Sequence, residues 1–432
     1  MKKVALLFSG QGSQYVGMGQ GLYEKYPEVR RIFDEANDIL GYDLANVCFK
    51  GNLLELTKTE NAQPAILTMS KALFEIYMKE TGIPPLYTAG HSLGEISALT
   101  CAGVIEFSDA LRIVRQRGLL MQEAGSKADG AMSAIAGIDL EIIQTECAKL
   151  NDSEHVLVIS NYNSPEQTVI SGDKQTVTEA GKILADKGAK VTPLKVSAAF
   201  HSPLMLPAAR SLAAELQKYQ YHSFKWPVLS NVTALPYPDS KEVISLLTQQ
   251  LTMAVRWQES MAYLGKQGIE VAVELGPKTV LRNMMKLNAP SIMAFSYDKS
   301  EDLPELQKIL ATETAKKETP AALQSVNKDN VLRNKFIAKC IHIAVTTRNR
   351  NWDNDEYQKG VVDPYRKVQQ LQERLEKEGT EATLDEMKEA LTMLQSVFFT
   401  KKVPAEEQAR RYKDLFEVTG ARPLFPEFQE PA

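Results

Sequence analysis

The chain has 432 residues, of which 44% are hydrophobic and 24% charged, and its formal net charge is −4. This length exceeds what one hydrophobic core usually organises, so we expect an enzyme-sized body plus at least one further unit. The nearly balanced charge excludes a dedicated nucleic-acid binder, and no apolar stretch is long enough to span a bilayer. Neither nucleic acid nor a membrane is therefore an expected partner.

The N-terminal residues place two lysines before a short apolar run, VALLF, which is broken at Gly10. The run lacks the length and cleavage site of a signal peptide, so it predicts a buried first strand and a cytoplasmic protein. The cysteines Cys48, Cys101, Cys147 and Cys340 are scattered, with no CxxC and no metal-ligand spacing. This pattern predicts ordinary core thiols rather than a disulfide framework or a metal site.

Up to about residue 300, short apolar runs alternate with segments of helical periodicity. That order predicts an α/β fold in which helices cover a parallel sheet, and we assign residues 1–129 and 197–298 to this large domain. Between residues 130 and 196 the pattern changes to β-α-β-β-α-β. This order predicts a ferredoxin-like insert within the large domain.

The C-terminal third of the chain has a different composition. Residues 299–330 are charged and poor in large apolar side chains, which predicts a solvated linker. Beyond it, residues 331–432 show apolar positions at helical spacing in segments such as VLRNKFIAKCIHIAV and LDEMKEALTMLQSVFF. We expect three to four helices that pack on each other or on the main body, forming a C-terminal helical appendage.

The sequence GHSLG carries the first chemical signal, because it places Ser92 between two glycines after an apolar strand and before a helix-forming segment. A strand-turn-helix of this type exposes a serine hydroxyl on a sharp bend. The helix N-terminus behind the serine offers unpaired N–H groups to a developing oxyanion. The pattern alone also fits a tight glycine-rich turn, so it requires a partner base.

His201, in AAFHS after a predicted strand of the large domain, is the best candidate for that base. A loop there could bring it to the same sheet edge as Ser92. His91 is the neighbour of Ser92, so we expect its side chain to point away from the serine and line the pocket. The remaining histidines are predicted to be structural: His155, His222 and His342.

The segment SGQGSQ follows the first strand and lets the backbone approach a ligand closely. Its Gln11 N–H could serve as an oxyanion donor together with the N–H of Leu93. A phosphate-binding interpretation is weaker, because the segment lacks both the lysine of a P-loop and the spacing of a dinucleotide fingerprint.

Taken in order, GQGSQ, GHSLGE, RQRGLLMQ, SAAFHSPLM, NVTA and QLTMAVRW closely resemble the malonyl-CoA:acyl-carrier-protein transacylases over about the first 295 residues. The resemblance implies an α/β-hydrolase-like large domain with a ferredoxin-like insert. It also implies Ser92 as nucleophile, His201 as general base and acid, and Gln11 with Leu93 as oxyanion donors. Arg117 alone would fit a solvated helix position, but the resemblance assigns it to the malonyl carboxylate, which a guanidinium fork suits.

Four further positions take expected roles from the same resemblance. Gln250 is expected to hydrogen-bond near His201 and help orient it, although a backbone carbonyl would also suffice. Asn161 and Asn163 match a strand-end motif that faces the cleft. Phe200 indicates malonyl rather than methylmalonyl as the acyl group, with discrimination of only about 1–3 kcal/mol.

The predicted function is transfer of malonyl from malonyl-CoA to the phosphopantetheine thiol of an acyl carrier protein by a ping-pong mechanism through a malonyl-serine, with no metal or other cofactor. Two alternatives remain open at this point: an acyl hydrolase that clears stalled carriers, and a non-catalytic synthase scaffold. The appendage distinguishes the chain from housekeeping transacylases and suggests a trans-acting enzyme of a polyketide or hybrid peptide-polyketide pathway. Its helices could dock partners or simply stabilise the protein.

Overall fold

A computed structural model describes residues 2–194, 196, 198–315, 324–347, 349–351, 353–378, 380–425 and 427–428. The chain divides into two compact units, Met1–Glu313 and Thr314–Ala432. Among the described residues, no helix combines the length and apolar character that crossing a membrane requires. The candidate site residues all belong to the first unit.

The first unit contains both sheets and most of the helices. Its described strands are β1 (Val4–Phe8), β2 (Tyr87–Gly90), β3 (Gly130–Ala136), β4 (Leu157–Ser164), β5 (Gln167–Asp173), β6 (Lys190–Pro193), β7 (Val228–Leu229), β8 (Val271–Glu274) and β9 (Met293–Ser296). Its described α-helices are α1 (Gln20–Lys25), α2 (Pro27–Leu40), α3 (Leu44–Phe49), α4 (Leu53–Thr57), α5 (Thr59–Thr81), α6 (Leu93–Cys101), α7 (Phe107–Lys127), α8 (Leu140–Leu150), α9 (Lys174–Asp186), α10 (Leu206–Leu216), α11 (Val243–Gln250), α12 (Trp257–Lys266), α13 (Val280–Asn288) and α14 (Leu303–Ala315).

The larger sheet is parallel and has the order β7-β2-β1-β8-β9. Every residue of β1 is buried, as expected for a strand covered by helices on both faces. Phe8 lies opposite Gly90, and Leu7 lies opposite Glu274. The carboxyl ends of β1, β2 and β8 therefore meet at one edge, which is where open parallel sheets bind ligands. The predicted α/β fold with a parallel sheet is confirmed.

The smaller sheet is antiparallel, with the order β4-β5-β3-β6. The chain order β3-α8-β4-β5-α9-β6 is the one predicted for the insert. Two backbone hydrogen bonds join this sheet to the main body: Tyr162 N–H donates to Val255 O at 3.0 Å, and Val255 N–H donates to Ser160 O at 2.9 Å. These bonds fix β4 beside the segment that follows α11.

The predicted linker is wrong over part of its length, because residues 303–315 form α14. Leu306 and Leu310 of this helix are 0% and 5% exposed and belong to the main hydrophobic core. Apolar residues at i and i+4 form one helix face, and burial of that face outweighs the charged character of the segment. Residues 316–323 of the predicted linker lie outside the described residues.

The second unit is helical, as predicted. Its described α-helices are α15 (Gln324–Thr346), α16 (Asn354–Tyr357), α17 (Asp363–Glu378), α18 (Leu384–Thr400) and α19 (Ala405–Thr419). The unit has a hydrophobic core of its own, which includes Phe336, Leu394 and Phe416. Lys401 is buried at the end of α18, and its Nζ donates to the carbonyls of Ala344 and Thr347 at 2.8 and 2.9 Å.

Candidate active site

Ser92 lies on the sharp turn between β2 and α6, with φ 53° and ψ −108°. Few side chains adopt this left-handed region, so the turn must be held by its surroundings. A Cβ at Gly90 would lie 1.9 Å from the Gly94 carbonyl, and a Cβ at Gly94 would lie 2.0 Å from the Phe8 carbonyl. Both glycines of the sequence motif are therefore required for the helix to start so close to β1 and β2.

The Ser92 hydroxyl and the His201 ring lie in hydrogen-bonding contact, with Oγ 2.8 Å from Nε2. The other ring nitrogen, Nδ1, lies 2.7 Å from the backbone carbonyl of Gln250. A carbonyl only accepts hydrogen bonds, so Nδ1 carries the proton and Nε2 is left free to accept the Ser92 proton. The structure thus brings the two predicted residues together and orients the ring through a backbone group rather than a carboxylate.

The His201 ring is 4% exposed. Its burial, and secondarily the positive charge of Arg117, lower the pKa of His201 to about 3. An imidazole with this pKa is neutral at physiological pH, which is the form that can accept a proton from a serine hydroxyl.

Arg117 of α7 is 1% exposed and reaches the same point. Its guanidinium donates to the side-chain oxygens of Gln63 and Gln250, each at 2.9 Å, and lies 3.3 Å from Ser92 Oγ. The two glutamine side chains hold the guanidinium group beside the Ser92 hydroxyl. The alternative that Arg117 is an ordinary solvated helix residue is therefore excluded.

The charge of Arg117 is not matched by a hydrogen-bonded carboxylate in the described part of the protein. Its partners there are neutral, and its buried Nε has no hydrogen-bond acceptor among the described atoms. Burial lowers the pKa of Arg117 to about 10, opposed by the charge of the nearby Glu95, so the guanidinium stays protonated. A buried cation with an unused donor beside a cavity is suited to an anionic ligand.

A cavity of about 320 Å³ opens between the edges of the two sheets. Ser92, His201 and Arg117 line it, as do Gln11 and Leu93, the two predicted oxyanion donors. Within the described residues, neither the Gln11 N–H nor the Leu93 N–H donates a hydrogen bond to another residue. Both amides are thus available to a ligand.

The remaining predicted cleft residues, His91, Phe200, Asn161 and Asn163, also line the cavity. His91 Nε2 lies 2.9 Å from Asn163 Oδ1, so this ring is held toward the smaller sheet rather than toward Ser92. Burial lowers the pKa of His91 below its ordinary value, because it disfavours the charged form of this ring.

Sequence reasoning missed a group of polar residues behind Ser92. Asn231 Oδ1 accepts from the Ser92 N–H at 2.7 Å, and Asn231 N–H donates to Glu95 at 3.0 Å. Glu95 also accepts from Tyr237 and from the side chain of Gln250. Glu95 and Asn231 stand inside the motifs GHSLGE and NVTA, which gave a signal, whereas the sequence gives none for Tyr237.

The three histidines that were predicted to be structural lie away from the cavity. His155 pairs with Asp152 at 3.1 Å, His222 lies 3.7 Å from Glu106, and His342 lies on α15 of the second unit. Among the described residues, no group of three or more His, Cys, Asp or Glu side chains could hold a metal ion.

Comparisons with known proteins agree with this geometry. The acyl transferase domain family matches residues 5–331. A malonyl CoA-acyl carrier protein transacylase from Bacillus subtilis is 38% identical over 413 residues, covering 96% of this chain and 100% of the relative. The Escherichia coli K12 transacylase of the same name is 42% identical over 309 residues, covering 69% of this chain and 100% of the relative.

Two solved structures are also similar. An acyl carrier protein S-malonyltransferase from Vibrio cholerae has a TM-score of 0.68 and 38% identity, covering 70% of this chain and 99% of that chain. A malonyl-transacylase in complex with a type II polyketide synthase acyl carrier protein has a TM-score of 0.68 and 38% identity, covering 72% and 99%. Together with the cluster of Ser92, His201 and Arg117, these matches show that the chain belongs to the acyl transferase family of malonyl CoA-acyl carrier protein transacylases.

Proposed function

We propose that this protein is an [acyl-carrier-protein] S-malonyltransferase, which takes malonyl from malonyl-CoA onto Ser92 and passes it to the phosphopantetheine thiol of an acyl carrier protein. The names of its relatives support both substrates. The solved complex of a similar transacylase with a carrier protein supports the second. The reaction needs no metal and no cofactor beyond the coenzyme A thioester, because the cavity residues supply a nucleophile, a base and donors.

In the first half-reaction, His201 Nε2 takes the Ser92 proton as Oγ attacks the thioester carbonyl. The oxyanion is stabilised by the amides of Gln11 and Leu93. When the intermediate collapses, the C–S bond breaks and His201 returns the proton to the coenzyme A sulfur. The products are malonyl-Ser92 and free coenzyme A.

In the second half-reaction, the carrier thiol enters the same cavity and gives its proton to His201 Nε2 as the sulfur attacks the ester carbonyl. The C–O bond to Ser92 then breaks, and Oγ recovers the proton. Arg117 holds the acyl group in one orientation throughout both steps.

The observation that carries the malonyl assignment is the position of Arg117. Its guanidinium lies 3.3 Å from Ser92 Oγ and is bonded only to neutral described groups. A malonyl ester on Oγ is short, so its free carboxylate lies within reach of this guanidinium. A neutral acetyl ester would leave the buried charge unmatched. An acyl hydrolase of uncharged chains has no use for this arrangement.

Phe200 supports malonyl over branched extender units. It lines the cavity, is 7% exposed and immediately precedes His201. Its ring leaves less room for a methyl branch, although exclusion of one methyl provides only about 1–3 kcal/mol.

We also infer the finer fold description from the two sheets of the first unit. The parallel sheet with its serine on a strand-turn-helix supports an α/β-hydrolase-like domain over residues 1–129 and 197–298. The antiparallel order β4-β5-β3-β6 with two helices supports a ferredoxin-like insert over residues 130–196.

For the second unit we propose a role in a polyketide or hybrid peptide-polyketide pathway. The Bacillus subtilis relative extends over these helices, whereas the Escherichia coli transacylase covers only 69% of this chain. Phe399 of α18 is 86% exposed, which is unusual for an aromatic side chain. If the helices dock a carrier, Phe399→Ser reduces kcat/KM for that carrier several-fold and leaves loading from malonyl-CoA unchanged. Equal kinetics with every carrier tested would favour a purely stabilising role.

Intact mass after brief exposure to malonyl-CoA tests the central proposal. We expect a malonyl adduct on the wild-type protein and none on Ser92→Ala. Ser97→Ala is a matched control, because Ser97 is buried in the same helix that follows Ser92.

Acetyl-CoA in the same assay separates the competing functions. Preferential loading by malonyl-CoA supports transfer. Equal loading by acetyl-CoA, or release of free malonate faster than formation of malonyl-carrier, would contradict the proposal and favour a hydrolase.

A further inference from the structure

Glu95 is a buried carboxyl group in the first turn of α6 that the proposed reaction does not use. It is 0% exposed and lies behind Ser92, outside the residues that line the cavity. Burial raises the pKa of Glu95 to about 7 against the opposing effect of its hydrogen bonds. Retaining such a group at this position requires compensating contacts, since burying a carboxyl is otherwise strongly unfavourable.

The two carboxyl oxygens have separate partners. Oε2 accepts from Gln250 Nε2 at 2.6 Å and from the Asn231 N–H at 3.0 Å. Oε1 accepts from the Tyr237 hydroxyl. Oε2 of Glu95 therefore holds two residues in place. Gln250 is bonded to Arg117 and His201, and Asn231 is bonded to the Ser92 amide.

The orientation of the Gln250 amide is fixed by what its neighbours can do. Arg117 only donates, so the amide oxygen must face it, at 2.9 Å. The Nε2 group then faces Ser92 O at 3.0 Å and Glu95 at 2.6 Å, which together use both of its hydrogens. Removing the Glu95 acceptor leaves a buried N–H without its partner. The amide then tilts toward the more distant Asn231 Oδ1, at 3.4 Å, and its oxygen is drawn from Arg117.

We propose that Glu95 is a positioning residue that sets the preference for a carboxylated acyl group, by holding the Gln250 amide so that its oxygen keeps Arg117 beside Ser92. This inference rests on the proposed malonyl anchor. Glu95 acts as a hydrogen-bond acceptor rather than as a charge, and it acts through Gln250 rather than on the substrate.

Two variants of Glu95 separate these roles. Glu95→Gln retains all contacts, because its amide oxygen can accept from Gln250 and Asn231 while its NH₂ group donates to the Tyr237 hydroxyl. Glu95→Leu has a similar size but offers no acceptor. The measured quantity is the ratio of kcat/KM for Ser92 loading by malonyl-CoA to that by acetyl-CoA. Partial unfolding lowers both rates equally and leaves this ratio unchanged.

We expect Glu95→Leu to lower the ratio about tenfold and Glu95→Gln to keep it within about twofold of wild type. In a Gln250→Leu background, Glu95→Leu should lower the ratio no further, since its effect passes through Gln250. Should Glu95→Leu fail to fold, Gln250→Leu tests the same inference, because it removes the amide through which Glu95 acts and should by itself lower the ratio about tenfold; an unchanged ratio in Gln250→Leu overturns the inference. A tenfold loss in Glu95→Gln, an unchanged ratio in Glu95→Leu, or full additivity with Gln250→Leu overturns the inference.

The wild-type protein and Arg117→Ala distinguish failure of this inference from failure of the proposed function. If wild type shows no malonyl preference, the anchor itself is wrong. If wild type prefers malonyl and Arg117→Ala loses that preference while Glu95→Leu keeps it, only the role of Glu95 is wrong.

Discussion

Arg117 and Lys401 are both buried cations, one in each unit, yet their surroundings differ. Lys401 is 4% exposed, and its Nζ donates to two carbonyls at the end of α15. Arg117 is 1% exposed, bonds only neutral described groups, has a buried Nε without an acceptor among them, and lines a cavity. Burial lowers the pKa of both groups. A buried cation thus indicates a ligand site only when an unused donor and open space accompany it.

The largest expected effect comes from removing the first cation. Arg117→Ala should lower kcat/KM for malonyl loading by about thirtyfold or more, because loss of a buried charge-paired contact is worth about 2–5 kcal/mol. Loading by acetyl-CoA should change far less, since acetyl has no carboxylate to pair. Quenched-flow loading followed by intact mass measures both rates. A parallel loss for both acyl groups would mean that Arg117 only supports the fold.

Removing the second cation should affect stability and not loading. Lys401→Met leaves the carbonyls of Ala344 and Thr347 without their donor, so we expect the free energy of unfolding to fall by about 1–3 kcal/mol. Lys402→Met is the matched control, because Lys402 is exposed and should change stability by less than about 0.5 kcal/mol. Urea unfolding followed by circular dichroism measures these changes. A loss of malonyl loading in folded Lys401→Met would contradict the comparison.

The smallest expected effect is in the pH dependence. The proposed base must be neutral, and an imidazole is neutral above its pKa, which for His201 is about 3. Loading by acetyl-CoA should therefore show no loss from His201 protonation between about pH 8 and about pH 5. Glu95 titrates in that window, since its pKa is raised to about 7, so Glu95→Gln should be measured in parallel.

Arg117 connects this pH profile to the comparison of cations. Its positive charge is the second cause of the low His201 pKa, after burial. Removing it should shift the acid limb of the acetyl-loading profile to higher pH, whereas Lys401→Met should leave the limb unchanged. An acid limb near the ordinary histidine pKa in the wild-type protein would show that the ring is solvated during turnover.

The sequence predicted the reacting residues of the site better than it predicted the contacts that hold those residues in place. Ser92 and His201 could be identified because a strand-turn-helix motif and a small set of histidines leave few candidates, and Arg117 followed from the family resemblance. The pairing of Arg117 with Gln63 could not be predicted, because it joins residues 54 positions apart on two different helices. The sequence allowed either the Gln250 side chain or a backbone carbonyl to orient His201. It could not distinguish them, because a backbone contact does not depend on residue type.

The fold shows the same division between local pattern and distant contact. The order of strands and helices along the chain follows from local periodicity, so it was predictable. The linker prediction failed at α14. The charged composition of this segment indicated a linker, although Leu306 and Leu310 are buried on one face of the helix. The burial of α14 depends on the hydrophobic core against which it packs, and the composition of the segment alone does not reveal that contact.

The contact between the Ser92 N–H and Asn231 has a stereochemical consequence. Because this amide is bonded to Asn231 at 2.7 Å, it is not free to stabilise an oxyanion. In the proposed reaction the carbonyl oxygen must then point toward Gln11 and Leu93, so Oγ attacks a single prochiral face of the thioester. By microscopic reversibility, the carrier sulfur must approach the face of the serine ester from which the coenzyme A sulfur departed. Coenzyme A and the carrier arm therefore enter along one path and cannot occupy it together, so coenzyme A must leave before the second half-reaction begins.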